Sequence, residues 1–297
     1  MGEEMAKEIH SMTGFGKGEA GDDKLQLTVE IKTVNHRFKD IRFKMSSLFN
    51  STELEMRNRI AKNFKRGSFD INVNYKKLET KSRFDDIDKE KVNAFVSSMK
   101  ILADANDVQL DIKPTDFLRN EFMKEVDESS IEKMSSYALE ALDLAIENLK
   151  ESRRSEGQKM LSVIEKHQQA YESFFKVVTD KSQEFQDTVK ERLEKKFEEY
   201  KTSMPTDEPR FMQEVIFYLE KMDIHEEINR INAHLTKLND ILSKGGEVGR
   251  QLDFLVQELN RETNTTGSKS TIQEISEAVV QMKVQLEKIR EQGLNLE

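Results

Sequence analysis

The pattern of apolar and polar positions divides the chain into a strand-rich start and a helical remainder. "KLQLTVEIKTVN" places Leu25, Leu27, Val29 and Ile31 at every second position, the period of a half-buried strand. "DIRFKM" and "SFDINVNYKKL" repeat the alternation with Ile41, Phe43 and Met45, and then with Phe69, Ile71, Val73 and Tyr75. Between them, "STELEMRNRIAKNFKRG" has a Ser or Thr cap, Glu in its first turn, basic residues in its last turn and Gly67 as a stop, the marks of a helix. A small antiparallel or mixed sheet with a helix on one face is predicted.

After Ile87 the strand signals end. "DKEKVNAFVSSMKILADAND" and "SIEKMSSYALEALDLAIENLKESR" read as amphipathic helices, with Pro114 in their connection. From Arg153 to Met204 there is no proline. Met160, Ile164, Tyr171, Phe174, Val178, Phe185, Val189, Leu193 and Phe197 form a coiled-coil stripe there, which predicts a long helix pairing with another helix or another chain. "PTDEP" breaks it, and Gly245–Gly246 separate "DIHEEINRINAHLTKLNDIL" from "EVGRQLDFLVQELNRET". In the last helix Ile275, Val279, Met282, Leu286 and Ile289 make a second seam. The class is therefore α+β, with a sheet-and-helix domain over 1–152, a long helical arm over 153–207 and a C-terminal helical domain over 208–297. Two such stripes are hard to bury within one narrow chain, so they are expected to build an oligomer larger than a dimer.

Composition supports exposed helices: 36% of residues are hydrophobic and 35% charged, with three prolines among 297 residues. There is no cysteine, which removes disulfides and thiolate chemistry and suits a reducing compartment. No apolar run approaches the roughly 20 residues needed to cross a bilayer. "MGEEMAKEIH" lacks the apolar core of a signal peptide, and Ala6 after Gly2 argues against myristoylation. A cytoplasmic protein without a membrane partner is expected.

The net charge of −9 conceals an asymmetry. From Ile31 to Lys77 there are twelve Lys and Arg against four acids, a net +8, so the remainder carries −17. A basic module on an acidic body is the distribution expected where one surface meets a polyanion. Within it Lys32, Arg37, Arg42, Arg57, Arg59, Lys65 and Arg66 are candidate phosphate contacts, and His36 beside Arg37 sits at a strand end. No aromatic-interleaved RNA platform appears along the chain, so weak base specificity is expected.

Two helices carry polar rows opposite apolar ones. At about 100° per residue, Asp223, Glu226, Glu227, Arg230 and His234 share a sector beside Ile224, Ile228, Ile231 and Leu235. In the next helix, Val248, Leu252, Leu255 and Leu259 face one way. Arg250, Asp253, Gln257, Arg261 and Asn264 face the other, with Glu258 between the faces and Glu262 nearer the apolar one. Such rows are what any amphipathic helix shows. The same types also suit a divalent ion, Mn²⁺ or Mg²⁺, held by Asp223, Glu226, Glu227, Asp253, Glu258 and Glu262. Arg230 suits a phosphate, and His234 by itself reads as readily as a hydrogen-bonded surface or core histidine.

"SMTGFG", "VNHRFKD", "SRRSEGQ", "DIHEEINRINAHL" and "GRQLDFLVQELNRETNTTGSKS" occur in an order that resembles the YicC/YloC family from Ser11 to the final "EQGLNLE". Lys39 and Thr266 depart from its usual aliphatic residues. The resemblance implies a cytoplasmic bacterial endoribonuclease, assisted by a divalent metal and assembled as a hexamer that can open around RNA. The site assignment then reads Glu227, Arg230, His234 and Arg261 as catalytic, and adds Arg250 and Lys269 to the contacts with single-stranded RNA. Two other classes stay open: a non-catalytic RNA-binding adaptor that works with other RNA-degradation proteins, and a helical scaffold.

Overall fold

The computed structural model describes residues 8–78, 87–109, 111–124, 128–203, 208–246 and 248–297. Gly2 and Ala6, the Met204 end of the long apolar segment and Pro205, Thr206 and Asp207 of "PTDEP" lie outside them, as do the side chains of Lys77 and Phe197. Among the described residues no helix is long and apolar enough to cross a membrane. The architecture is α+β and falls into two compact units.

One unit comprises Phe15–Lys32 and His36–Leu149. Its sheet has the order β1-β2-β4-β3, built from β1 (Gly14–Gly21), β2 (Leu25–Val34), β3 (Lys39–Lys44) and β4 (Gly67–Lys77). β3 and β4 are parallel, with Ile41 opposite Phe69 and Phe43 opposite Ile71, and the intervening helix α1 (Glu53–Asn63) forms the crossover. The three strands and the helix that the periodicity predicts are present, and the sheet is of the mixed kind.

The first strand was not predicted, because GFGKGEAG offers neither apolar alternation nor β-branched residues. Its glycines answer to packing. A Cβ on Gly16 would lie 2.1 Å from the carbonyl oxygen of Ala145, and one on Gly18 2.0 Å from that of Ala141. The strand therefore lies directly on a helix backbone, a fit only glycine permits. Gly67, read as a helix stop, instead opens β4 at φ 122°, while α1 ends at Asn63.

Leu27, Val29, Ile31, Phe69, Ile71 and Val73 from the strands form one core with Met56 and Ile60 of α1 and with Ala138 to Leu149 of α3. This α3 (Glu128–Ser203) is one element where the sequence reads two helices, for no proline or glycine pair interrupts it. Helix α2 (Lys89–Asn106) buries no residue fully. It is capped by Asp88 and meets a trio of edge-on rings, Phe95, Phe117 and Phe122.

The other unit holds residues up to Gly14, Thr33–Asn35 and Lys150–Glu297. It contains the rest of α3, α4 (Glu208–Met222), α5 (His225–Lys244), α6 (Gly249–Lys269) and α7 (Gln273–Gly293). Of the two kinds of partner the stripes leave open, another helix of the same chain is the one observed for much of their length. Ile164, Tyr171, Val178, Phe185 and Val189 of α3 are buried in one core with Ile275, Val279, Met282, Leu286 and Ile289 of α7, together with Ile231, Leu235, Leu252, Leu255 and Leu259. Four helices of one chain bury these residues together, with Met160, Phe174 and Leu193 of the stripe partly buried against them.

The chain ends close this unit. Ser11 bridges Leu296 in antiparallel fashion, and the amides of His10 and Glu297 each donate to the other's carbonyl at 2.8 Å. The buried Arg153 donates from Nε to the Ser11 carbonyl at 2.5 Å and from Nη2 to the Glu297 side chain at 2.5 Å. Gly157 lets the Ile9–His10 segment approach: a Cβ there would lie 2.5 Å from the Ile9 carbonyl oxygen. Three quoted motifs, "SMTGFG", "SRRSEGQ" and "EQGLNLE", thus meet in one clasp.

Candidate active site

The polar rows of α5 and α6 meet where the first turn of α5 lies beside the last turn of α6. Two acids, Glu226 and Glu227, occupy that first turn, where the helix dipole favours negative charge, and Lys269 occupies the last turn of α6, where it favours positive charge. Asp223 stands just ahead of α5, and its Oδ1 accepts from the His225 amide at 2.9 Å and stands 3.0 Å from the His225 ring Nδ1. Partial burial works against the Asp223 charge, but these contacts outweigh it and hold the carboxyl below its ordinary value.

Two carboxylates are buried here. Glu227 is 4% exposed; its Oε1 accepts from Lys269 Nζ at 2.6 Å, and the same ammonium donates to the Asp223 carbonyl at 2.7 Å. Its Oε2 is buried without a hydrogen-bond partner among the described residues. Glu262 is also 4% exposed and faces Arg230 Nη1 at 3.4 Å, while the other arm of Arg230 is paired with Glu226. Glu262, which the helical spacing places nearer the apolar face, is therefore a buried ion-pair partner.

The remaining candidates are separated from this pair. Asp253 turns to α7, accepting from Arg290 Nε at 2.9 Å and from Gln257 at 3.0 Å. Glu258 and His234 are half-buried. Arg250 and Arg261 are exposed and make no ion pair among the described residues. Among the described residues no group of three or more His, Asp or Glu is arranged to hold a metal ion. As they stand, the six acids do not fit a single divalent-ion shell: Glu227 is matched by Lys269, Glu226 and Glu262 by Arg230, and Asp253 by Arg290.

Part of the long motif is packing. Tyr171 is fully buried, with its hydroxyl 2.9 Å from Thr263 Oγ1, and burial pushes that phenol well above its ordinary value. Thr263 donates to the Leu259 carbonyl at 2.7 Å, Thr266 to that of Glu262 at 2.9 Å, and Gly267 sits against Val279. Lys269, read as a phosphate contact, is the counter-ion of Glu227. Its role was hidden because it lies 42 positions from Glu227 and has no periodic relation to it.

In the other unit the basic window is partly neutralised by its own acids. Arg42 pairs with Asp40 at 2.6 Å and Arg57 with Glu53 at 2.8 Å, while Arg59 reaches Glu55 at 2.5 Å and also pairs with Asp143. Lys32, His36 and Arg37 are exposed, and Lys32 and Arg37 have no ion pair among the described residues. Lys65 is exposed and Arg66 half-buried.

The fold and site define an α+β protein with a charge-paired helical face beside an all-helical core. Two family models cover nearly the whole chain: one described as "Endoribonuclease YicC-like, N-terminal region" matches residues 9–162, and one described as "Endoribonuclease YicC-like, C-terminal" matches residues 178–297. The chain is 34% identical to a protein of Clostridioides difficile (strain 630) named "Probable endoribonuclease YicC", over 97% of this chain and 99% of that one. It is likewise 34% identical to the protein of that name from Haemophilus influenzae, over 97% and 100% of the two chains. This chain belongs to the YicC-like endoribonuclease family.

Proposed function

We propose that the chain is an endoribonuclease acting on single-stranded RNA, with the α5–α6 face as its active site. The observation that carries the activity is the full-length kinship to relatives named as probable endoribonucleases. Within the site, Glu227 is the group to which we assign the chemistry, because among the described residues its Oε2 is the one buried carboxylate oxygen there without a hydrogen bond. In this reading Glu227 takes the proton from the attacking hydroxyl, Arg230 and Arg261 offset charge on the phosphorane, and His234 returns a proton to the leaving oxygen. Arg250 draws the strand to the face, and the basic window of the other unit adds long-range attraction.

Divalent-ion dependence, with Mn²⁺ or Mg²⁺, stays part of the proposal, although an ion would have to displace Lys269 or Arg230 to gain the matched oxygens. Assembly as a hexamer is likewise proposed, and sedimentation of the purified chain as a monomer would remove it. The second reading, a non-catalytic adaptor that binds RNA for other RNA-degradation proteins, is favoured by one observation: four of the six acids already answer to a cation.

The experiment is cleavage of an end-labelled single-stranded RNA by the purified chain, with and without EDTA, with the product ends identified. Internal cutting that Glu227→Gln abolishes while RNA binding survives is the expected result. Cutting at the wild-type rate by that variant sinks the assignment, and binding without any cutting selects the adaptor. Loss of cutting in EDTA retains the metal, whereas EDTA-resistant cutting to a cyclic phosphate end removes it.

A further inference from the structure

The turn between β2 and β3 presents an aromatic surface that linear reading of the chain does not reveal. His36, Arg37 and Phe38 are all exposed, Phe38 at 66%. The Arg37 guanidinium lies 5.5 Å from the centre of that ring, and the His36 ring lies 6.2 Å away at a tilt of 60°. The turn is held by contacts to the Phe38 backbone. His36 Nδ1 stands 3.0 Å from the Phe38 carbonyl oxygen and 3.3 Å from the Phe38 amide, and the Gly67 amide donates to the same carbonyl at 3.3 Å. With Nδ1 so placed, the imidazole is oriented and its Nε2 is left for other partners.

An exposed phenylalanine in this setting calls for a partner that is both flat and anionic. Arg37 has no ion pair among the described residues, and positions 36 to 39 contain no acid, the next residue Asp40 being paired with Arg42. A protein partner would bury an apolar patch depleted of charge. Here a single ring lies beside a guanidinium and an imidazole instead. A ring face for a base, a guanidinium for its phosphate and an oriented imidazole are the components with which proteins hold unpaired nucleotides.

We propose that this turn is a stacking site for an unpaired nucleobase of single-stranded RNA, with Phe38 as the platform and Arg37 as the phosphate contact. The proposal rests on the RNA-directed reading above and adds to it a base-contacting residue, at a place that is not part of the α5–α6 face. The site stacks bases without reading their edges, so it favours purines over pyrimidines through ring area alone.

The chain contains no tryptophan, so Phe38→Trp introduces a unique fluorophore at the platform. A short 2′-O-methyl oligoadenylate, which the 2′-hydroxyl route cannot cut, is titrated into the full chain and followed both by indole emission and by anisotropy of a labelled strand. Inorganic polyphosphate serves as the anion without bases. Oligoadenylate is expected to quench the indole while saturating polyphosphate does not. Phe38→Ala is expected to weaken oligoadenylate binding about tenfold, and Phe38→Trp to keep it. Unchanged affinity in Phe38→Ala, or quenching by polyphosphate equal to that by oligoadenylate, overturns the stacking site while leaving RNA binding intact. Absence of any anisotropy change with the wild-type chain overturns the RNA reading itself and the stacking site with it. A change in sedimentation of Phe38→Ala with unchanged RNA affinity assigns the ring to a protein contact and overturns the proposal.

Discussion

The α5–α6 face and the basic window are built from the same residue types, acids matched to Lys and Arg, yet they are different physical objects. In the helical unit the pair Glu227–Lys269 has side chains 5% and 21% exposed. In the sheet unit Arg42–Asp40 stands at 68% and 38%, and Arg59–Asp143 at 33% and 55%. Exposed pairs are solvated whether or not they meet, and each is worth about 0–1 kcal/mol. A buried charge has only its partner, so removing one member costs roughly 3–5 kcal/mol even where the pair itself adds little. The Glu227–Lys269 pair is fixed because its charges have little solvent to turn to, whereas exposed pairs can exchange their partners for phosphates.

The largest expected effect follows from that contrast. Glu227→Ala strands the Lys269 ammonium beside the Asp223 carbonyl and should lower the unfolding free energy by about 3 kcal/mol. Restoring most of that loss by adding Lys269→Met would sharpen the case, while a urea midpoint equal to wild type would break it. Glu227→Gln keeps an acceptor for Lys269 and should cost much less, which separates catalysis from folding. Next in size is Tyr171→Phe, which removes a fully buried hydroxyl from Thr263 and should cost about 1 kcal/mol by the same measurement. The Leu259 carbonyl still accepts from Thr263, so a loss several times larger would mean that the Tyr171 hydroxyl has further duties.

The basic window should respond in binding rather than in stability. Arg37→Gln should lower the log–log salt slope of single-stranded RNA binding by about 0.7, the share of one phosphate contact. Arg59→Gln, whose guanidinium is already divided between Glu55 and Asp143, should lower it less and change stability by under about 1 kcal/mol. Equal slopes for the two variants would show that intramolecular acids do not compete with phosphate.

The smallest effect is in acid. Asp22 is held far below the ordinary carboxylate range, first by Lys133 and then by the amides of Lys24 and Leu25. A lowered folded-state value stabilises the protein above the unfolded value near about 4 and loses that contribution as pH falls toward the folded one. Thermal midpoints measured on the acid side of that value should therefore fall less steeply in Asp22→Asn than in wild type. Parallel curves would mean that Lys133 does not hold this carboxylate in solution.

Local periodicity determined a great deal. The alternation in β2, β3 and β4, the helix between β3 and β4, and the two apolar stripes can all be read from the chain, because each depends on residues at most a few turns apart. β1 could not, since its glycines record the approach of Ala141 and Ala145 more than 120 positions away, and nothing local marks that approach. The partners of the stripes were illegible for the same reason. A seam shows which face is apolar and not whether the surface that covers it belongs to the same chain. The polar rows of α5 and α6 were legible as sectors, and the placement of Glu262 near the apolar side followed from its angle alone. That Lys269 answers Glu227, that Asp253 turns to Arg290 and that Phe38 stands exposed beneath a guanidinium are matters of three-dimensional approach. Periodicity assigns a side chain to a face; only the packing of one element on another sets the dielectric around its charge and the partner it finds there.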